Sequence, residues 1–342
     1  MQYPLFEQGR HLLSVSQFDR TNLTALFDLA DAVRPIAMRR GVCTVLDGAM
    51  LGSLFFEPST RTRLSFESAF LRLGGEVTTT TGFTFSSMAK GESIADTARV
   101  VSGYSDVLVV RHPDEGSVAQ FAAASVVPVI NAGDGAGEHP SQALLDVYTL
   151  ERELPSGGPI TLAVVGDLRY GRTVHSLIRL LSIVHEPGCS FRLYAPPGLG
   201  LPPDIAADAT EHGHRVVVCD SAVEAITGAA AVYATRVQTE RLPPDMPPIA
   251  NTSRDLLNKA MVLEAGNPGI VIMHPLPRDS RPGAFDLSAD VDDLGGLAIF
   301  RQTDNGLCVR MAIFLTALGV DAQQVAEKTK QRPWSATLRP SR

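Results

Sequence analysis

The sequence predicts an α/β protein of two doubly wound domains, each a largely parallel sheet flanked by helices, with bridging helices joining them. Three observations predict it. Short β-branched apolar runs alternate with stretches of helical period, the pattern of βαβ units. The alternation breaks at a segment rich in Pro and Gly, 154–159, and restarts with a continuous apolar strand at Ile160–Val165. The chain has 342 residues, 44% of them hydrophobic, enough for two cores at roughly 100–200 residues per domain. The expected division is 1–150, 151–303 and a tail, 321–342, with a C-terminal helix over about 304–320 that packs back onto the first domain.

In the first half, strands are expected at Leu51–Phe56, Val77–Thr80, Val107–Val110 and Val126–Ile130. Phe66, Ala69, Phe70 and Leu73 fall at i, i+3, i+4 and i+7 of a helix, with Gly74 and Gly75 as stop signals. Ile94, Ala98 and Val101 mark a second stripe, and a helix beginning near Pro140 leads into the boundary. The second half repeats the alternation at Phe191–Tyr194, Arg215–Cys219, Ala231–Thr235 and Ile270–Met273. Leu297–Arg301 precedes Val309, Ala312, Ile313 and Ala317 at helical spacing. Beyond Val320 the chain turns polar and basic, which reads as a loosely ordered terminus.

Composition narrows the function. With 30 Lys and Arg against 37 Asp and Glu, the net charge of −7 argues against a dedicated nucleic-acid binder. No apolar run approaches the roughly 20 residues of a membrane span. Cys43, Cys189, Cys219 and Cys308 stand singly, without metal-ligand spacing, as buried thiols do in a reducing compartment. The N-terminus lacks a basic start and apolar stretch, so a cytoplasmic location is expected.

The chemistry-bearing segments sit where strands end. In FFEPSTRTR, Phe55 to Arg63, an apolar strand gives way to Ser59, Thr60, Arg61 and Thr62 in the first turn of a helix. Free backbone N–H groups, the helix dipole, hydroxyls and a guanidinium converge there as a phosphate cradle. A Ser/Thr N-cap beside solvated arginines is the plainer alternative. FSSMAKGESIADT places Ser86 and Lys90 in a small-residue loop, suited to a lid or a donated side chain or simply a solvated surface. VVRHP puts Arg111 and His112 at the carboxyl edge of the sheet, where open α/β sheets bind ligands. In AGDGAGEHPSQ, Ala132 to Gln142, Pro140 at the first helical position leaves His139 at a helix N-terminus, where the dipole disfavours a charged imidazole.

In the second half, GDLRYGRTVHS carries Arg172 just past a strand, and its glycines do not fit a dinucleotide or Walker fingerprint. Arg236 and Gln238 follow another strand in ATRVQTER, and two arginines at neighbouring strand ends suggest a dicarboxylate clamp. In HPLPR, Pro275 and Pro277 flank Leu276 and expose backbone carbonyls able to accept from an amide or ammonium group.

These segments, with FRQTDNGLCVRMA near the end, appear in an order that closely resembles the aspartate carbamoyltransferase family from about His11 to Val320. The resemblance implies two domains of the carbamoyltransferase fold, and carbamoyl transfer from carbamoyl phosphate to L-aspartate in pyrimidine (UMP) biosynthesis, with no metal or cofactor. It assigns Ser59, Thr60, Arg61, Thr62, Arg111, His139, Gln142, Pro275, Leu276 and Pro277 to carbamoyl phosphate. Thr62, Arg111 and His139 would be catalytic, while Lys90, Arg172, Arg236 and Gln238 would bind aspartate. Glu57 would pair with Arg172 and Arg241 on domain closure. The loop bearing Ser86 and Lys90 would enter a neighbouring subunit of a homotrimer. Regulatory or dihydroorotase-type partner chains and nucleotide control stay open. Ornithine carbamoyltransferases typically carry Lys at the place of Glu57 and Cys at the place of Pro275, so a carbamoyltransferase of the same fold acting on another amine acceptor, such as ornithine, is the alternative. A silent assembly scaffold is the alternative from another class.

Overall fold

A computed structural model of the chain describes residues 3–82, 90–155, 158–185, 188–238, 255–279 and 285–334. It divides into two compact units, Met1–Ser141 with Asp304–Arg342 and Gln142–Thr303.

The first unit opens with a 3-10 turn at Val15–Gln17 and α1 (Arg20–Ala37). Helix α1, absent from the expected elements, starts at a reciprocal capping box between Asp19 and Asn22 and buries Leu23, Leu26, Phe27, Ala30 and Val33 on one face. There follow β1 (Gly41–Cys43), β2 (Met50–Phe55), α2 (Thr60–Arg72), β3 (Glu76–Thr81), α3 (Ile94–Ser102), β4 (Val107–His112), α4 (Ser117–Ala124), β5 (Val129–Asp134) and α5 (Pro140–Glu153). The four-stranded sheet has order β3-β2-β4-β5 and is parallel throughout. Strands β4 and β5 are buried along their whole length, as helices on both faces require.

One expected strand is displaced. The apolar run from Val126 to Ile130 suggested a strand, yet Val126 is 78% exposed and β5 runs on to Asp134. Its polar end is tolerated because Asn131 Nδ2 donates to the Leu13 carbonyl and Asp134 accepts from the amides of Gly116 and Val118 at the start of α4.

The second unit continues with β6 (Ile160–Val165), α6 (Arg172–Val184), β7 (Cys189–Tyr194), α7 (Pro203–Glu211), β8 (Arg215–Val218), α8 (Ala222–Ile226) and β9 (Ala231–Ala234). After these come β10 (Asp255–Leu257), α9 (Lys259–Glu264), β11 (Val271–Met273) and β12 (Phe285–Leu287). Five parallel strands form a sheet of order β11-β9-β6-β7-β8, and β10 pairs with β12 separately. Its core gathers Ala163, Val165, Val232, Ile272, Leu287 and Ile299. Gly166, at φ +130 just after β6, lies so close to the Thr235 carbonyl that any Cβ would overlap it.

Helix α10 (Ile299–Leu318), α11 (Ala322–Glu327) and β13 (Thr329–Gln331) complete the chain. The change from one unit to the other thus falls inside a continuous helix twice, in α5 and in α10. Within the first unit, Phe314 of α10 packs edge-on against Phe70 and Phe66 at 4.9 and 5.8 Å between ring centroids. As far as Trp334, the segment after Val320 corrects the expectation of a loose terminus; residues 335–342 lie outside the described residues. Strand β13 pairs antiparallel with β1, and the Arg332 guanidinium lies over the Trp334 ring. A helix and a strand pairing tie down residues 322–331, so polarity in that stretch marks a solvent face.

Phe314→Ala should destabilise the chain by about 3–5 kcal/mol, the usual cost of emptying an aromatic site that cannot collapse. Urea unfolding would show it as a lower midpoint with little change in slope.

Candidate active site

In the first unit, the carboxyl ends of β2, β4 and β5 are neighbours. Phe55 is in register with Arg111, and His112 with Asp134. Helix α2 begins immediately beyond β2, with Ser59 as its N-cap residue. The Ser59 side chain makes no capping hydrogen bond, and no acid occupies the first turn. Ser59 thus occupies the N-cap position without capping the helix through its side chain. The first amides of a helix lack intrahelical acceptors, so this end keeps its capacity for an anion, with the hydroxyls of Thr60 and Thr62 and the Arg61 side chain in the same turn.

Arg111 is 9% exposed; its Nη2 pairs with Glu57 Oε2 at 2.7 Å and its Nη1 donates to the Ala132 carbonyl at 3.2 Å. Glu57, expected to pair with Arg172 and Arg241, is thus engaged with Arg111 here. His139 is buried, immediately before Pro140 at the head of α5, and its Nδ1 lies 3.4 Å from Ser141 Oγ. The preceding residue anchors this loop: Glu138 accepts from Ser14 Oγ at 2.7 Å and from the Val15 amide at 2.8 Å. Lys90 is exposed, four residues before α3. Ser86 and Arg241 lie outside the described residues.

In the second unit, Asp167 joins two strand-end loops. Fully buried, its Oδ1 accepts from the amides of Arg169 and Tyr170, and its Oδ2 from the amide of Gln238 at 3.0 Å. The Gln238 side chain donates in turn to the Tyr170 carbonyl at 2.9 Å. Arg172, the first residue of α6, and Arg236, past the neighbouring strand β9, are carried by the segments so fixed. Charge-assisted bonds from three amides make Asp167 the fastener of this region.

The turn after β11 is built in the same way. His274 is 1% exposed; its Nε2 donates to Asp286 Oδ2 at 2.8 Å, which leaves Nδ1 to accept from the Leu276 amide, also at 2.8 Å. Leu276 takes φ +58 ahead of a cis peptide bond to Pro277. Gln142 Nε2 donates to Asp146 on the next turn of α5. Asp146, Asp167, Asp286, Gln302 and Glu138 were not singled out from sequence. The only signal for Asp146 was its i+4 spacing from Gln142; for Asp167, its place directly after a strand-end glycine, where an aspartate often bonds the following amides.

Two family models match the chain. The carbamoyl-P binding domain of aspartate/ornithine carbamoyltransferase matches residues 10–152, and the Asp/Orn binding domain matches residues 159–317. The chain belongs to the aspartate/ornithine carbamoyltransferase family. Among members of this carbamoyltransferase family, the aspartate carbamoyltransferase catalytic subunit of Cellvibrio japonicus (strain Ueda107) is 50% identical over 335 residues, 97% of this chain and 98% of that relative. The catalytic subunit of Dichelobacter nodosus (strain VCS1703A) is 51% identical over 316 residues, 91% and 90% of the two chains. A crystal structure of Trypanosoma cruzi aspartate transcarbamoylase in complex with carbamoyl phosphate and aspartate superposes with a TM-score of 0.83 at 36% identity, covering 93% of this chain and 100% of that one. Among the described residues of this family member no group of His, Cys, Asp or Glu is placed to hold a metal ion.

Burial lowers the pKa of His11, His112 and His175 below the ordinary 6.5. Each is disfavoured as a cation in the folded chain, so the unfolded chain binds more protons as pH falls through that value. Stability contributed by these three neutral imidazoles is complete above 6.5 and is lost below it. Urea midpoints should therefore drop between about pH 7.5 and about pH 5.5, and His175→Gln should flatten the dependence.

Proposed function

We propose that the chain transfers the carbamoyl group of carbamoyl phosphate to the α-amine of L-aspartate, giving N-carbamoyl-L-aspartate and phosphate in pyrimidine (UMP) biosynthesis. The observation that carries this reading is the Asp167-bound pair of loops, which offers Arg172 and Arg236 from neighbouring strands, a cationic site suited to a second carboxylate. Glu57 and Pro275 point the same way, since ornithine-specific relatives typically carry Lys and Cys there. The relatives from Cellvibrio and Dichelobacter bear the aspartate name over nearly their whole length.

In this reading Ser59, Thr60, Arg61 and Thr62 hold the phosphate at the N-terminus of α2. Thr62, Arg111 and His139 donate to the carbamoyl oxygen. The backbone carbonyls around Pro275 and Leu276, with Gln142, accept from the carbamoyl NH₂, and Pro277 shapes that turn. Arg172, Arg236 and Gln238 hold the aspartate carboxylates, joined by Lys90. The amine lone pair attacks the carbamoyl carbon, the C=O pair becomes an oxyanion, and the C–O bond to phosphate breaks as the oxyanion collapses. The departing phosphate takes the amine's proton. Losing one oxyanion donor then costs roughly 10²–10³ in rate, and orientation of the two reactants supplies much of the remainder. The active form is a cytoplasmic homotrimer whose Ser86–Lys90 loop serves a neighbouring site. The relatives' name, catalytic subunit, is the reason to look for regulatory or dihydroorotase-type chains in the native complex.

Purified protein supplied with carbamoyl phosphate should form N-carbamoyl-L-aspartate from aspartate; turnover with ornithine alone would overturn the assignment. Arg236→Ala should lower kcat/KM for aspartate by about 1.5–3 kcal/mol while leaving carbamoyl phosphate affinity intact. Trimers of Lys90→Ala and of Arg61→Ala, each inactive, should regain some activity after subunit exchange. No recovery, with exchange verified by mass, would refute shared sites.

A further inference from the structure

Three donors converge on one carboxylate in the second unit. Asp146, fully buried in α5, accepts at Oδ1 from Gln142 Nε2 at 2.9 Å and from Gln302 Nε2 at 2.6 Å, and at Oδ2 from the Tyr233 hydroxyl at 2.8 Å. An amide that gives its NH₂ to a carboxylate turns its carbonyl oxygen away from it, because two oxygens so placed repel. Gln142 therefore presents Oε1 on its far side. Gln302, turned by the same contact, accepts the His274 amide at Oε1, 3.0 Å away. His274 in turn draws in the Leu276 amide through Nδ1. In a trans peptide the N–H and C=O are opposed, so binding the Leu276 N–H inward directs the Pro275 carbonyl outward. A single carboxylate thus stands at the root of two acceptors, one on a side chain of α5 and one on the backbone after β11.

We infer that Asp146 is a positioning residue that orients the Gln142 and Pro275 carbonyl oxygens as joint acceptors for the carbamoyl NH₂ group; this rests on the function proposed above. Tyr233 is the third member and serves a different end. Burial, then the Asp146 charge, hold its phenol pKa well above the ordinary 10.0, so it stays a donor that neutralises the remaining lone pairs. Its oxygen also bonds Thr173 and Gln142, so it touches the side-chain acceptor but lies off the Gln302–His274 route.

The test measures binding, by calorimetry, of carbamoyl phosphate and of inorganic phosphate to the full-length chain. Only the first carries the NH₂. Asp146→Asn, isosteric but with an NH₂ that must face another donor, should reduce the preference for carbamoyl phosphate over phosphate roughly 10–100-fold, as loss of an outer partner typically does. Phosphate affinity itself should not change. Gln302→Leu, which cuts the link to His274, should reduce the preference in part, and it serves where Asp146→Asn does not fold. Tyr233→Phe, which removes a bond to Gln142 but leaves the Gln302–His274 route whole, should reduce the preference less than Asp146→Asn, whereas a merely structural role would move all three variants alike. In a Gln142→Ala background, Asp146→Asn should cost less than it does alone, since one of its two routes is already gone. Equal loss of both ligands, full additivity, or a wild-type chain that binds the two ligands equally would overturn the inference. Turnover with aspartate is scored separately: a wild type that prefers carbamoyl phosphate yet does not carbamoylate aspartate contradicts the proposed acceptor and not the role of Asp146.

Discussion

Parallel pairing is the constraint on which the rest of the molecule depends. A strand that pairs in parallel with its neighbour must be followed by a crossover, and the crossovers here are helices. Every strand of a sheet then ends on the same edge, and the loops that leave those ends carry what chemistry there is. In the first unit the ends of β2, β4 and β5 are adjacent, and from them come the α2 N-terminus, Arg111 and the loop to His139. In the second, β11, β9 and β6 are adjacent, and from them come the His274–Pro277 turn, Arg236 with Gln238, and the segment to Arg172. Residues far apart in sequence are neighbours because strand order, not chain order, decides.

Loops that leave a strand end have no ladder to hold them, and in this chain buried carboxylates take over that task. Asp134, Asp146, Asp167 and Asp286 are each no more than 9% exposed, and each accepts from backbone amides, neutral side chains or an imidazole. An ionised acceptor makes shorter and stronger bonds than a neutral one, and several donors per carboxylate offset its desolvation. The arrangement also reconciles an acidic chain with cationic strand ends. Four of its acidic residues are engaged internally, so the net charge says nothing of the local sign at the strand ends.

How much of this was legible in the sequence follows from the range of each signal. The sheet strands β2, β4, β6 and β9 were visible because buried parallel strands are continuous apolar runs, and β7 because its apolar residues alternate with polar ones. Ser59 to Thr62, Arg111, His139 and Arg236 were visible because polar residues stand out where such a run stops. Helix α1, though its apolar face is regular, stands apart from the strand runs and the motif-bearing segments that mark the other elements. The end of β5 was misplaced because Asn131 and Asp134 look like loop residues until their partners, Leu13 and the α4 amides, are known. Asp146 and Asp286 were invisible for the same reason: their donors come from 156 and 12 residues away, and no local pattern encodes such pairings. The polar segment after Val320 misled because a short helix with few buried residues and an edge strand need little apolar sequence.

The discontinuity of the first unit sets an order of events during synthesis. Residues 142–303 are contiguous, so the second unit is complete as soon as they have left the ribosome. The first unit, though begun earlier, waits for Asp304 onward, and until then the faces of Phe66 and Phe70 that Phe314 covers stand open. The half of the chain made first is the half finished last, and translation halted before α10 emerges leaves a nascent chain with an apolar surface of the kind that chaperones recognise.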